Sequence, residues 1–244
     1  MMSSFGLTDK GRYRAENQDA FAIADTEGGL VAVVCDGMGG AAAGRLASDM
    51  AVKRFISFAK KGFAVSGSGQ EEDVLRQAAD SANRQIYHFA ATAEEYNGMG
   101  TTLVGAVFGE AQATFVNVGD SRAYLVRDKV MRQLTEDHTL VQDMLRSGLL
   151  TKEEAMMHPD RNMITRAIGG EETIEPDFYR FETCPGDVIL LCTDGLYGEV
   201  SANRILQLST EYSSMHELAK KLVDEANEAG GKDNISVVCI RIGG

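Results

Sequence analysis

Three aspartates in this sequence share one local design. Asp36 closes the apolar run 31–35 (VAVVC), Asp194 follows 188–193 (VILLCT), and Asp233 stands just before 234–240 (NISVVCI). An apolar strand delivers the residue at its end with little positional freedom. Gly37 and Gly195 follow the first two, where glycine lets the backbone turn sharply and leaves room for a ligand. Carboxylates gathered at strand ends repel one another and raise each other's pKa, a conflict that a divalent cation relieves. Hard cations such as Mg2+ and Mn2+ prefer oxygen ligands and keep several waters. A single Asp-Gly reads as a plain turn, because both residues favour turns. On position alone, the set of three reads equally as turns and as a metal cluster.

Three further residues belong with these. Asp120 lies in 118–122 (VGDSR) between two alternating segments, and on pattern alone it reads as a hairpin-turn residue. Asp19 ends the segment 14–19 (RAENQD), just before the first predicted strand. Arg14 opens that segment, and its planar, permanently charged fork suits a phosphate, although a lone arginine near an N-terminus also reads as a solvated surface residue.

The elements that must position these residues follow from the patterning. Strands are predicted at 21–24 and 30–35, with Glu27-Gly28-Gly29 as a hairpin signal between them. Ala-rich helical spacing predicts a helix over 41–60, and a second over 71–95 follows the Gly/Ser stretch 62–70. Strands are predicted at 101–108, 113–118, 121–127 and 129–134, then at 177–181 and 188–192, with a last one at 234–240. Capping-box patterns at Thr151–Glu154 and Ser214–Glu217 predict helix starts. The second of these places Met215, Leu218, Leu222, Val223 and Ala226 on one face and stops at Gly230-Gly231. Strands joined by tight turns, with long helices in separate blocks, imply antiparallel sheets in an α+β arrangement. The Gly/Ser stretch is too short to divide the chain, so residues 1–244 read as one domain.

Composition narrows the function. The 244 residues suffice to bury about 70–75% of the unfolded surface. Apolar content of 44% and charged content of 25% are ordinary for a globular chain. With 24 basic and 36 acidic residues the net charge is -12, which argues against nucleic-acid or anionic-membrane partners. Cys35, Cys184, Cys192 and Cys239 form no CxxC pair and read as reduced, mostly core residues. No run approaches the ~20 apolar residues of a membrane span, and residues 1–14 lack the apolar core of a signal peptide. A cytoplasmic, soluble protein is expected.

Eight motifs, in order, carry a resemblance. They are Arg14 to Asp19, 33–40 (VVCDGMGG), 100–102 (GTT), 117–122 (NVGDSR), 134–138 (LTEDH), 164–169 (ITRAIG), 192–196 (CTDGL) and 233–236 (DNIS). Any one is weak, whereas the ordered set is specific. The chain resembles the bacterial members of the protein phosphatase 2C (metal-dependent protein phosphatase) family. The resemblance implies a four-layer αββα sandwich of two antiparallel sheets flanked by antiparallel helix pairs, with the metals in a cleft at one end. It implies that Asp36 bridges two metals, that the Gly37 carbonyl binds the second, and that Asp194 and Asp233 ligate the first. Asp19 matches a position that holds metal-bound water, Asp120 with Asp194 a weaker third metal site, and Arg14 the arginine that binds substrate phosphate. The cofactors implied are Mn2+ or Mg2+, two catalytic ions and a weaker third. Residues 139–170 correspond to the family's variable flap, where Met144, Met156, Met157 and Met163 suit an adaptable surface.

The mechanism expected of such a centre is direct hydrolysis. Two cations about 3.5–4 Å apart would lower the pKa of a shared water, whose hydroxide attacks phosphorus in line. Arg14 would offset charge on the phosphoryl oxygens. Ser121 and the cysteines are then not nucleophiles. The implied substrates are phosphoserine and phosphothreonine proteins, opposing a eukaryotic-type serine/threonine kinase, and the chain reads as a monomer. Two residues depart from the family pattern. Gln18 stands where many relatives carry Glu, and Met38 where many eukaryotic relatives carry a histidine proposed as general acid. His138 and His158 read as structural or flap residues rather than acid/base groups. A non-catalytic phosphoprotein-binding module on the same fold would show a lost metal aspartate, and none is lost. A nuclease would need a basic groove. A tyrosine-directed or small-molecule phosphatase is not separated by sequence.

Overall fold

Apolar runs without polar alternation belong to strands buried on both faces. The computed structural model describes residues 2–65 and 69–243, so residues 66–68 of the Gly/Ser stretch lie outside the described residues. The chain begins with β1 (Ser3–Asp9), β2 (Asp19–Thr26) and β3 (Gly29–Met38), followed by α1 (Ala41–Val65) and α2 (Glu71–Ala90). Next come β4 (Gly100–Thr101), β5 (Leu103–Phe108), β6 (Gln112–Val118), β7 (Arg122–Arg127) and β8 (Val130–Gln133). Two short helices, α3 (Leu140–Arg146) and α4 (Lys152–Met157), precede β9 (Asp177–Glu182) and β10 (Val188–Cys192). The remainder is α5 (Asp194–Tyr197), α6 (Ala202–Glu211), α7 (Met215–Ala229) and β11 (Ile235–Arg241).

The strands form two sheets, ordered β1-β11-β10-β7-β8 and β2-β3-β5-β6-β9, with β4 pairing β3. Every pairing is antiparallel among the described residues. In β3 the side chains divide by parity. Val31, Val33 and Cys35 join the core under α1 and α2, while Leu30, Ala32 and Val34 join the core between the sheets. β10 and β11 divide likewise, with Leu190, Cys192, Val237 and Cys239 facing α7, and Ile189, Leu191, Val238 and Ile240 facing the other sheet. Three cores separate four layers, which is the αββα sandwich expected. Each fully buried Leu, Ile or Val contributes about 1.5–3 kcal/mol.

The structure differs from the sequence reading at several elements. β1 and α6 were not predicted. β1 is only partly buried; Phe5 and Leu7 pack against the core under α7 while pairing with β11 sets the strand's place, and two apolar positions are too few to stand out in the sequence. α1 runs five residues beyond the predicted 60, and α2 stops at Ala90. The Thr151–Glu154 capping box forms in full; at Ser214 the side chain accepts from the Glu217 amide at 3.4 Å.

The largest correction concerns Asp120. β6 pairs β5 and β9, whereas β7 pairs β10 and β8, so the segment carrying Asp120 is a crossover between the two sheets and not a hairpin turn. The hairpin reading rested on the spacing of two strands, and spacing does not reveal the sheet to which each belongs.

Candidate active site

Antiparallel pairing brings the C-terminal ends of β3, β6 and β10 to the same side as the starts of β2 and β11. A cleft of about 560 Å3 opens there, lined by Arg14, Asp36, Gly37, Asp120, Asp194 and Asp233. Met38 and, from the 139–170 segment, Asn162 and Ile164 also border it. Asp19 lies beneath the cleft, buried and directly opposite Asp36 in the β2–β3 register. The seven residues singled out in the sequence thus come together.

Each carboxylate has a built support. The Asp36 amide donates to Thr102 Oγ1 at 2.9 Å, and the Asp36 carbonyl accepts from Thr101 Oγ1 at 2.7 Å and the Thr102 amide at 2.8 Å. Thr102 Oγ1 also meets Ser121 Oγ at 2.7 Å, tying the Asp120 crossover to Asp36. A Cβ on Gly37 would come within 2.0 Å of the Gly44 carbonyl oxygen, so only glycine lets α1 start against the end of β3. A Cβ on Gly195 would come within 2.0 Å of the Asn234 carbonyl oxygen, the close approach that sets Asp194 beside Asp233. Thr193 Oγ1 donates to Asp19 Oδ2 at 2.8 Å and accepts from the Ser236 amide at 3.0 Å.

Arg14 sits on a loop pinned by Asn234. The Asn234 side-chain amide donates to the carbonyls of Lys10 and Glu16, and its oxygen accepts from the Gln18 amide at 2.8 Å. Arg14 Nη2 donates to Asp233 Oδ2 at 2.6 Å with the arginine half exposed. That bond, with the charges of Asp233, Asp36 and Asp194, raises the guanidinium pKa further and keeps a cation at the rim.

The electrostatics are those of crowded acids. Burial, with neighbouring carboxylates adding to it, pushes Asp19 up to about 7, Asp120 to about 7 and Asp194 to about 6. Asp36 lies well above the usual carboxylate range, from burial first and then from Asp19 and Asp194. Asp19 Oδ1 and Asp194 Oδ1 are buried without a hydrogen-bond partner among the described residues. A buried anionic oxygen left so is costly, and a divalent cation is the ligand that relieves both the repulsion and the missing bonds. No group of three or more His, Cys, Asp or Glu side chains closes on a single point among the described residues.

Other candidates take structural places. His138 is buried; its Nδ1 accepts from the Gly119 amide at 3.2 Å and its Nε2 faces Asp177 at 3.2 Å, while burial lowers its pKa. His158 accepts from the Asp160 amide at 3.2 Å, outside the cleft. Burial, then Asp19, pushes the Cys35 thiol well up, which disfavours a thiolate. Cys192 and Cys239 are also buried, whereas Cys184 is exposed. Sequence reasoning assigned no role to Thr102, Thr193, Asn234 or the Arg122–Tyr197 pair. Arg122 stacks on the Tyr197 ring at 3.6 Å and binds Asp137, and the Tyr197 hydroxyl donates to the Asp120 carbonyl at 2.9 Å. All four lie in or next to the motifs quoted above, but only the fold reveals their partners.

Known proteins share this architecture. The structure is similar to that of the S. agalactiae serine/threonine phosphatase, with a TM-score of 0.93 and 33% identity, covering 99% of this chain and 100% of that one. It is also similar to the catalytic domain of the serine/threonine protein phosphatase PstP in complex with two manganese ions, with a TM-score of 0.86 and 32% identity over 100% and 99% of the two chains. The Listeria monocytogenes serine/threonine phosphatase stp is 38% identical over 96% of this chain and 93% of that relative. The class is protein serine/threonine phosphatase, a phosphoric monoester hydrolase. Residues 11–235 match the model of protein phosphatase 2C, and the chain belongs to that metal-dependent family. No helix among the described residues is long and apolar enough to cross a membrane.

Proposed function

We propose that the chain hydrolyses phosphoserine and phosphothreonine in proteins by direct attack of water, with no covalent phosphoenzyme. The observation that carries this reading is the pair of buried, unpartnered oxygens, Asp19 Oδ1 and Asp194 Oδ1, among four carboxylates with raised pKa values in one cleft. Asp36, Asp194, Asp233 and the Gly37 carbonyl would hold two Mn2+ or Mg2+ ions, and Asp120 with Asp194 a weaker third. Bound there, the ions would supply a water acidified toward neutrality and positive charge facing the phosphoryl oxygens. Arg14 reaches the cleft rim and would pass from Asp233 to the substrate phosphate, fixing its orientation. Asp19 anchors the floor through Thr193. Residues that could otherwise form a phosphoenzyme are engaged or inert, since Ser121 Oγ is tied to Thr102 and Cys35 is held as a thiol. Met38 at the cleft wall cannot protonate the leaving group.

The segment 139–170 acts as a flap on a single catalytic domain and shapes substrate choice. A eukaryotic-type serine/threonine kinase supplies the opposing reaction, and the chain works as a monomer. The test is hydrolysis of phosphoserine, phosphothreonine and phosphotyrosine peptides with Mn2+, with Mg2+ and with chelator, beside Mn2+ titration calorimetry. Asp36→Asn and Asp194→Asn should each remove nearly all metal-dependent activity and weaken Mn2+ binding. Full activity in both variants would overturn the two-ion centre.

A further inference from the structure

Next to the cleft lies a second cavity of about 440 Å3 that the reaction does not use. Met38 and Ile164 line both, so the two share a wall. An extended peptide with its phosphorylated residue in the cleft would cross that wall within about one to three residues at about 3.3 Å each. The cavity lies along a substrate's path rather than on a remote face.

Its chemistry is uneven. Met38, Ile164 and Ile174 supply an apolar side, and Glu171 and Glu175 stand exposed at the rim. Neither of those carboxylates has an ion-pair or hydrogen-bond partner among the described residues. The cation in the lining, Arg166, is already committed. Its Nη1 donates to Asp177 Oδ1 at 3.1 Å and to the Glu175 carbonyl at 3.0 Å. The cavity therefore presents an apolar wall and two unneutralised negative charges, on a protein whose net charge is -12. A lysine or arginine side chain meets both demands, because its methylene stem packs on apolar surface while its charged head stays at the wet rim. An acidic side chain would meet repulsion, and a short apolar one would leave the rim unused.

We infer that this cavity is a subsite for a basic residue flanking the phosphorylated residue of the substrate. The inference rests on the phosphatase reading above. Exposed ion pairs are individually weak, so two rim carboxylates together account for about a 3- to 20-fold preference at low salt, reduced as salt screens them.

The experiment measures kcat/KM with Mn2+ on phosphothreonine peptides that differ only in carrying lysine, norleucine or glutamate at one of the three positions on either side. p-Nitrophenyl phosphate, too small to reach the cavity, reports the chemistry alone. The wild type should favour lysine over glutamate at one position or an adjacent pair. The double variant Glu171→Gln, Glu175→Gln should bring that ratio to within about twofold, and Glu171→Lys with Glu175→Lys should invert it, with p-nitrophenyl phosphate hydrolysis unchanged in both. Normal p-nitrophenyl phosphate turnover with no positional preference, or a preference that survives the glutamine variant, overturns the subsite alone. Absence of p-nitrophenyl phosphate hydrolysis in the wild type overturns the phosphatase reading and the subsite with it.

Discussion

Replacing Asp120 by asparagine should make the metal-free protein more stable. Asp120 is buried in the crossover between β6 and β7, and its carboxylate takes no hydrogen bond from another residue among the described residues. Burial, then the charges of Asp194 and Asp137, pushes it from 3.8 to about 7. At about 1.4 kcal/mol for each pH unit, that rise corresponds to about 4 kcal/mol. The sign follows from proton binding. The folded carboxyl keeps its proton to higher pH than the unfolded one, so stability falls as pH rises from about 4 through about 7. Asparagine does not titrate and escapes this loss. In chelator at pH 8 the Asp120→Asn variant should exceed the wild type by up to about 4 kcal/mol, or about 8–16 °C in Tm for a chain of this size. At pH 5 the gap should shrink to roughly 1.5 kcal/mol. If Asp120 holds an ion as proposed, saturating Mn2+ should close or reverse the gap, because the wild type would gain binding free energy that the variant forgoes. Thermal melts across pH 5–8, with and without Mn2+, make the comparison. A variant that melts no higher than the wild type in chelator at pH 8, or a gap that does not change with pH, would refute the argument that these acids are held under mutual strain.

Three further outcomes are expected. Gly195→Ala places a Cβ within 2.0 Å of the Asn234 carbonyl oxygen and should cost about 1–3 kcal/mol in denaturant melts while weakening Mn2+ binding at least tenfold by calorimetry. Unchanged affinity would show that the Asp194–Asp233 approach does not matter. Thr193→Val strips the hydroxyl shared by Asp19 Oδ2 and the Ser236 amide, and the buried Ser236 amide left unsatisfied should cost about 1–3 kcal/mol by equilibrium unfolding. A neutral effect would mean that water or rearrangement replaces it. Asn234→Ala frees the loop that carries Arg14 and should raise KM for a phosphopeptide more than it lowers kcat; an unchanged KM would assign the loop's position to other contacts.

The parts of the fold most legible in the sequence were those whose side chains settle the matter locally. β3, β10 and β11 are buried on both faces, so each stands out as an unbroken apolar run. α7 shows one apolar stripe from Met215 to Ala226 because a single face packs on its sheet. β1 escaped notice because its place depends on backbone pairing with β11, more than two hundred residues away, and no local pattern encodes a distant partner. α6 buries only Ile205, Leu208 and Ser209 across ten residues, too few for a clear period. At the site, strand-end aspartates with glycine beside them marked Asp36 and Asp194. The groups that support Asp36, Asp19 and the Arg14 loop, namely Thr102, Thr193 and Asn234, are ordinary residues whose hydrogen bonds exist only once both sheets are in place.

The position of β11 between β1 and β10 bears on how such an enzyme is made. Synthesis delivers Asp19, Asp36, Asp120 and Asp194 long before Asp233, and β11 is the strand that bridges the two halves of its sheet. A chain still short of β11 has β1 with no neighbour in that sheet and lacks both Asn234, which fastens the Arg14 loop, and Ser236, which completes the Thr193 link. The proposed centre therefore lacks Asp233 and two of its supports until the last strand is made. It arrives with the late insertion of one strand, a long-range step of the kind that folds slowly. Fragments that end before that strand are expected to be catalytically silent.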